Sequence, residues 1–567
     1  IAWVTQTQKG SKKMNHVFSQ VPRLNIPRSM FKRPFNLKTT MDVNYLVPIY
    51  CDEVLPGDTF KFKQHLFGRL STPVVPLMDN LYLDTFYFAV PIRLIDDNWQ
   101  KFMGERPFGD TTTQYLTPVL NTGTGVAVES LSDYIGIPTG VPNLDFVPYW
   151  HRAYNLIYNE WFRDELLCEP RPVAGKHYDG TVTTEALSDY VLCKRGKRHD
   201  YFTSCLPTPQ RGDPVTIGLG STAPVYGDGN VLSFTNGGTG VYPSRYGFTN
   251  SGTTSTPSFF NVGNGDVPVS LTPGTASNPS AGKFGISTKE ELTARSATSA
   301  GLVADLTSAS SVTINALREA FAIQSLLERD NTSGTRYIEL IRGHFGVTSP
   351  DARMQRPEYL GGSSRPLQVT TVPQTSASEE NNTPQGNLSA FVTVRSDGYW
   401  SKSFTEHCVI IGLANVRADL SYQQGLPRMF SRRTRYDFYW PELANLGEQA
   451  VLNKEIYAQG SQVKDGSLIV DDQPFGYQER WAEYRYHPNM ITGKFRSQAA
   501  QSLDVWHLAQ EFSSLPTLSS DFIEENVPID RVVAVTDEPP LILDGWFEVE
   551  CARPMPLYSV PGIGRRF

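Results

Sequence analysis

Charge is scarce in this sequence. Asp, Glu, Lys and Arg make up 19% of its 567 residues, while aromatic side chains reach 11%. That balance suits a β-rich protein that buries much of its surface against neighbours. Positive charge is short as well. The formal net charge is −7, which excludes a whole-chain polyanion binder and confines nucleic-acid contact to a locally basic face or arm. The six cysteines (Cys51, Cys168, Cys193, Cys205, Cys408, Cys551) form no C-x-x-C pair. This argues against a zinc ribbon or a disulfide-stapled secreted fold and suits a reducing cytoplasm. No apolar run approaches the roughly 18 residues of a membrane span, and no signal peptide is visible. Ile1 rather than Met stands first, with Met14 an internal or alternative start. G-x-S-x-G, H-E-x-x-H and Walker loops are all missing.

Turn formers are plentiful, with 45 Gly and 40 Pro. The length exceeds the roughly 250–300 residues that one core supports. The chain is therefore several domains, or one core domain carrying large insertions. Residues 1–41 hold Lys9, Lys12, Lys13, Arg23, Arg28, Lys32, Arg33 and Lys38 with no acid before Asp42, and Pro22, Pro27 and Pro34 break any helix. This reads as an extended basic arm, ordered only by something it touches. The plain alternative is a solvated tail.

Residues 42–213 open with strand-like runs at Val43–Cys51, Thr59–Leu66 and Leu81–Val90, punctuated by Pro56-Gly57-Asp58, Pro73, Pro76 and Pro91. A short helix is expected over Asp96–Met103. A longer one is expected over Val147–Leu167, where Trp150, Tyr154, Ile157, Tyr158 and Trp161 recur at helical spacing. Residues 214–310 read as a surface insertion. From Pro214 to Gly282 the only charges are Asp228, Arg245 and Asp266. Its surface or receptor candidates are Tyr226, Phe234, Tyr242, Tyr246, Phe248, Phe259 and Phe260. In residues 311–567 helices are expected at Val312–Arg329, with Ser311 as cap, and at Arg336–His344, closed by Gly346. A polar loop spans Gly361–Asn387, and strands follow at Leu388–Val394, Phe404–Leu413 and Ile542–Cys551. Strand signals thus cluster at both ends of the chain. One mainly β domain explains this: a jelly-roll β-sandwich with long loop and helical insertions.

Candidate chemistry is thin, and no cofactor or metal is expected. Cys193, His199 and Cys205 match no common metal spacing. Arg211-Gly212-Asp213 is a weak adhesion tripeptide. Asn331, Asn381 and Asn387 head formal glycosylation sequons. Two basic stretches remain. Lys194–Arg198 is one. Arg428–Trp440 is the other, interleaving Arg428, Arg432, Arg433 and Arg435 with five rings. Cations among aromatics suit single-stranded DNA. A solvated face, or inter-subunit ion pairs with aromatic packing, is the plainer reading for either stretch alone.

Several stretches resemble the major capsid proteins of microviruses, the gokushovirus branch most closely. They are Asp52–Phe60, Met78-Asp79-Asn80 with Asp84–Phe88, Trp150–Asn155 with Asn159–Arg163, and Arg198–Ser204. Gly476–Trp481 and Met555–Gly562 continue the series in the same order. The resemblance implies a jelly-roll subunit, a T=1 icosahedral shell and packaged circular single-stranded DNA. It also implies that the large insertion forms protrusions at the threefold axes. Expected partners are further copies of the chain, the DNA, a small basic packaging protein, a pilot or minor virion protein, a scaffolding protein and a host surface receptor. Two other readings are weighed. One is a phage receptor-binding or spike module. The other is a glycan-active β-sandwich enzyme using Asp471 and Asp472, a poor couple because adjacent strand residues face opposite ways. A lone shell subunit is further expected to expose large apolar and aromatic patches and an unpacked arm.

Overall fold

The computed structural model describes residues 27–105, 108–109, 114–175, 184–213, 215, 314–348, 355–376 and 385–558, with short strands inside 225–304. The chain divides into two compact units: Ile1–Arg211 with Glu328–Phe567, and Gly212–Leu327.

The larger unit is built on ten strands in two antiparallel sheets. In chain order they are β1 (Ser29–Lys32), β2 (Phe35–Met41), β3 (Val47–Val54), β4 (Thr59–Leu70), β5 (Leu81–Pro91), β6 (Glu358–Pro366), β7 (Gln368–Pro373), β8 (Leu388–Ser403), β9 (Cys408–Ala418) and β10 (Leu541–Arg553). Sheet one runs β1 and β2 side by side on one edge of β10, then β4, β8 and β7; sheet two runs β6, β5, β9, β3. Successive strands mostly change sheet, and strands distant in sequence become neighbours. This is jelly-roll topology. The expected sandwich of strands from both ends of the chain is therefore observed. Two long excursions leave the sandwich, residues 92–357 after β5 and 419–540 after β9. Pro91 lies opposite Cys408 and Leu81 opposite Ala418, so the excursions depart from opposite ends of sheet two.

Side-chain alternation decides which faces meet. In β4 (TFKFKQHLFGRL), Phe60, Phe62, Leu66 and Leu70 point inward and are buried, while Lys61, Lys63, Phe67 and Arg69 point outward. The inward rings of β3, β5, β8 and β10 join them: Phe62 lies 5.1 Å from Trp400 and 4.7 Å from Tyr87. Each such ring buried contributes about 1.5–3 kcal/mol. Gln64 is the polar exception in this core. It bonds Thr85 and Ser363 at 3.1 Å and accepts from the Tyr87 hydroxyl, so both ends of its amide are paired. Gly412 is required beside this cluster, because a Cβ there would sit 2.5 Å from the Tyr87 ring. The Pro56-Gly57-Asp58 turn carries the chain from sheet two to sheet one. Gly57 takes φ +91°, and the Asp58 carboxylate accepts from the Leu55 amide (3.0 Å) and pairs with Arg553 (3.0 Å).

β9 (CVIIGLANVRA) does not alternate; every residue is buried. Its outer face, with that of β5, is covered by helix Tyr149–Ile157 and neighbouring segments. There Val409, Ile411 and Leu413 pack with Phe88, Val90, Ala153, Tyr154 and Ile157. A strand covered on both sides reads as a continuous apolar run. The Tyr154 hydroxyl ties the layer down, donating to the Leu46 carbonyl and accepting from the Cys193 amide, both at 2.9 Å.

Several expectations need correction. The basic arm does not extend to residue 41: β1 and β2 pair with β10 of their own chain. Phe35, Leu37 and Met41 sit every second residue or so on the core side, and β10 would otherwise present a bare edge. The rest of the arm, residues 1–26, lies outside the described residues. The helix expected over Val147–Leu167 stops earlier. It ends at Ile157, a wide turn covers Tyr158–Phe162, and Asp164 caps a new turn by accepting from the Leu166 and Leu167 amides. The polar stretch Gly361–Asn387 contains most of β6 and all of β7. The helix Ile314–Ser333 meets its expectation, with Ser311 outside the described residues. Helix Tyr337–Phe345 ends at Gly346 with φ +67°.

In the smaller unit the described strands are nested. Val225–Gly227 pairs with Leu302–Ala304, and Phe234–Asn236 pairs with Leu292–Ala294. Tyr246–Asn250 pairs with both Phe284–Ser287 and Ser258–Phe260.

Candidate nucleic-acid and assembly surfaces

The outer face of sheet one is not covered by the described chain. Across its central strands the registers align Lys38, Asp544, Phe67 and Arg395 in one row and Asn36, Trp546, His65 and Asp397 in the next. Phe67, Tyr399 and Trp546 are exposed rings in a field of Lys32, Lys38, Lys61, Lys63, Arg69 and Arg395. Acids answer some of these cations: Lys32–Glu550 at 3.2 Å, Lys38–Asp544 at 3.6 Å and Lys63–Glu548 at 3.7 Å. His65 bonds Asp397 at 2.6 Å and holds that carboxyl below its usual range. Among the described residues Lys61 and Arg69 have no ion pair. Exposed pairs of this kind are worth about 0–1 kcal/mol, so a phosphate can replace the acid at little cost.

Sheet two meets the covering chain through a buried polar seam as well as the apolar layer. Asp84 Oδ2 accepts from Arg195 at 2.6 Å and Arg417 at 2.8 Å. Burial works to raise this carboxyl, but hydrogen bonds from Ser364, Arg195 and Arg417 outweigh it and hold it below its usual range. Glu525 lies beside the same arginines, 3% exposed, and burial pushes it up to about 8.

The cations singled out from sequence scatter. Lys9, Lys12, Lys13 and Arg23 lie outside the described residues. Arg28 donates to the Gly57 carbonyl (3.1 Å) and Thr59 hydroxyl (3.2 Å), while Arg33 makes a bidentate pair with Asp52. The four arginines of Arg428–Trp440 are brought together in the excursion after β9, but two are already neutralised. Arg428 pairs with Glu455 (2.9 Å) and Arg432 with Glu483 (3.3 Å). Arg432 also lies 4.2 Å from the Tyr484 ring, and Arg435 stacks on Trp440 at 4.7 Å. Arg433 and Arg435 have no acid partner among the described residues. Of the insertion aromatics, Tyr226, Phe234, Tyr246, Phe248, Phe259 and Phe260 fall on described strands, with Tyr246 opposite Phe260, and Tyr242 lies outside. Sequence reasoning missed Lys61, Lys63, Phe67, Arg69, Arg395, Tyr399 and Trp546. For the four on β4 the signal was present in the outward half of its alternation.

Residues 19–563 match the capsid protein (F protein) family. The chain belongs to that family. It is 45% identical to capsid protein VP1 of Bdellovibrio phage phiMH2K, over 98% of this chain and 99% of the relative. It is 44% identical to capsid protein VP1 of Chlamydia phage 1, over 97% and 98%. With capsid protein VP1 of Spiroplasma virus 4 the identity is 36%, over 98% and 100%. A member of the F-protein family is a structural component of the virion that assembles into a capsid and is not an enzyme. The residues weighed for chemistry have structural uses in this F-family subunit. Asp471 accepts from the Gln459 and Gly460 amides, and Asp472 pairs with Lys454 at 2.7 Å. Cys193 and Cys205 are buried in separate apolar clusters. Asn331 is buried and donates to the Thr208 carbonyl at 2.7 Å.

Proposed function

We propose that the subunit forms a small T=1 icosahedral shell around a circular single-stranded DNA, and that the bare face of sheet one meets the genome. The asymmetry of the sandwich carries this reading. Sheet two is covered by its own chain, so sheet one alone offers a broad face, and that face combines cations with stacking rings. The arm cations Lys9, Lys12, Lys13 and Arg23, with Arg28, extend the same contact. A small basic packaging protein shares the DNA, a pilot or minor virion protein completes the particle, and a scaffolding protein acts during assembly. The nearly uncharged insertion suits close approach of three copies at a threefold axis, because like charges do not oppose one another there. Its aromatics then select the host surface receptor. Swapping residues 214–282 between related phages is expected to move host range with the insertion; unchanged host range removes the receptor role.

The experiment on the genome face replaces Lys61, Lys63, Arg69 and Arg395 together by Ala. Shells still form, genome retention weakens, and the log–log salt dependence flattens by about 0.7 per lost phosphate contact. Wild-type retention and slope in the mutant shells overturn this assignment. Replacing the arm cations Lys9, Lys12, Lys13, Arg23 and Arg28 by Ala tests their share in the same assay.

A further inference from the structure

The excursion after β9 carries a second exposed aromatic surface, of different character from sheet one. Phe430 and Tyr436 are each 67% exposed, and Met429, Phe438, Tyr484, Tyr486 and Met490 are also exposed at half or more of their surface. Beneath them lies a cluster centred on Tyr201, Phe202, Tyr422 and Phe475. Between the two a cavity of about 110 Å³ opens, lined in part by Tyr422, Met429, Tyr486 and Met490. That space is on the order of one large apolar side chain.

Half of the arginine charge of this surface is already neutralised within the subunit, by Glu455 and Glu483. No lysine occurs between Lys402 and Lys454. Rings, Met and Arg without Lys form the composition of a protein–protein interface core. We propose that this surface is a contact between copies of the chain in the shell, with an apolar side chain of the neighbouring copy seated in the cavity. Two observations select a second copy as the occupant. Every subunit carries the patch, and a second copy of the chain matches it in number. Arg433 and Arg435 have no acid partner among the described residues, which repels a basic partner, whereas another copy of this chain brings a net charge of −7.

Phe430→Asp and Met490→Asp place a carboxylate at the rim and at the cavity. Each variant is expected to fold as a subunit with an unchanged circular dichroism spectrum, while shell yield by sedimentation falls on the order of tenfold or more. Met490→Leu should restore it. A photo-crosslinking residue at Tyr436 in otherwise wild-type particles supplies a readout that does not depend on variant folding, and crosslinked dimers of the chain are expected. Crosslinks to DNA or to a different protein, or no crosslink at all, overturn the proposal. So do Asp variants that assemble at wild-type yield. DNA retention is measured on the same particles, so failure here is distinguishable from failure of the genome-face assignment.

Discussion

The two sheets of the sandwich share one core but differ on their outer faces. β9 in sheet two is buried from end to end, whereas β4 in sheet one alternates strictly between core and solvent. Covering a sheet with its own chain demands apolar residues on both sides and a solved hydrogen-bond problem at every polar group. Leaving it bare permits exposed lysines and rings, some of them paired only with acids of the same open face. The covered face therefore serves the stability of the fold, and the bare face is free for contacts beyond the subunit.

The sharpest way to break the comparison is at the polar seam. Asp84→Ala leaves Arg195 and Arg417 without their shared buried acid, and is expected to cost about 3–5 kcal/mol, measured by denaturant unfolding of the subunit. Next is the apolar cover: Leu413→Ala on the outer face of β9 is expected to cost about 2–5 kcal/mol. Phe67→Ala on the outer face of β4 should stay within about 0.5 kcal/mol. Equal costs at the two positions remove the distinction between the faces.

Acidity sharpens it further. His151 is buried under the cover of sheet two with its Nε2 bonded to Ser132 at 2.9 Å, and burial lowers it from 6.5 to about 4. The folded state holds it neutral while the unfolded chain takes up a proton. Its contribution is thus present above about 6.5 and is lost as pH falls toward 4. Glu525 has the opposite sense. Raised from 4.5 to about 8, it contributes below 4.5 and loses that contribution as pH climbs through 8. Unfolding curves across this range should show each limb flatten selectively in His151→Gln and Glu525→Gln. The change is a few kcal/mol at most, because a tenfold difference in proton affinity between folded and unfolded chain is worth about 1.4 kcal/mol. The smallest effect lies on sheet one. Lys63→Ala removes the pair with Glu548 and is expected to change subunit stability by less than about 1 kcal/mol, less still at high salt.

What could be read from sequence follows the same division. The central strands were legible because burial writes itself into them, as an apolar run in β9 or as alternation in β4. Edge strands were not. β6 (EYLGGSSRP) presents Ser363 to the polar network around Gln64, and β7 is mostly exposed, so both look like loop. β1 and β2 were hidden by Lys32 and Lys38, which are simply outward residues. The arginine cluster was legible as a cluster but not as an ion-pair network. Glu455 and Glu483 lie 27 and 51 residues from the arginines they neutralise, a separation only the folded chain closes.

Strand β10 leaves the ribosome after every other strand of sheet one, yet it lies between β2 and β4, in hydrogen-bonding register with both. Until it arrives, β4 keeps an open edge and β1 and β2 have nowhere to pair. A chain cut short by a premature stop or by proteolysis cannot finish the sheet, however well its earlier strands fold. The order of synthesis thus ties completion of sheet one to its last strand: only chains translated through β10 present a finished sandwich.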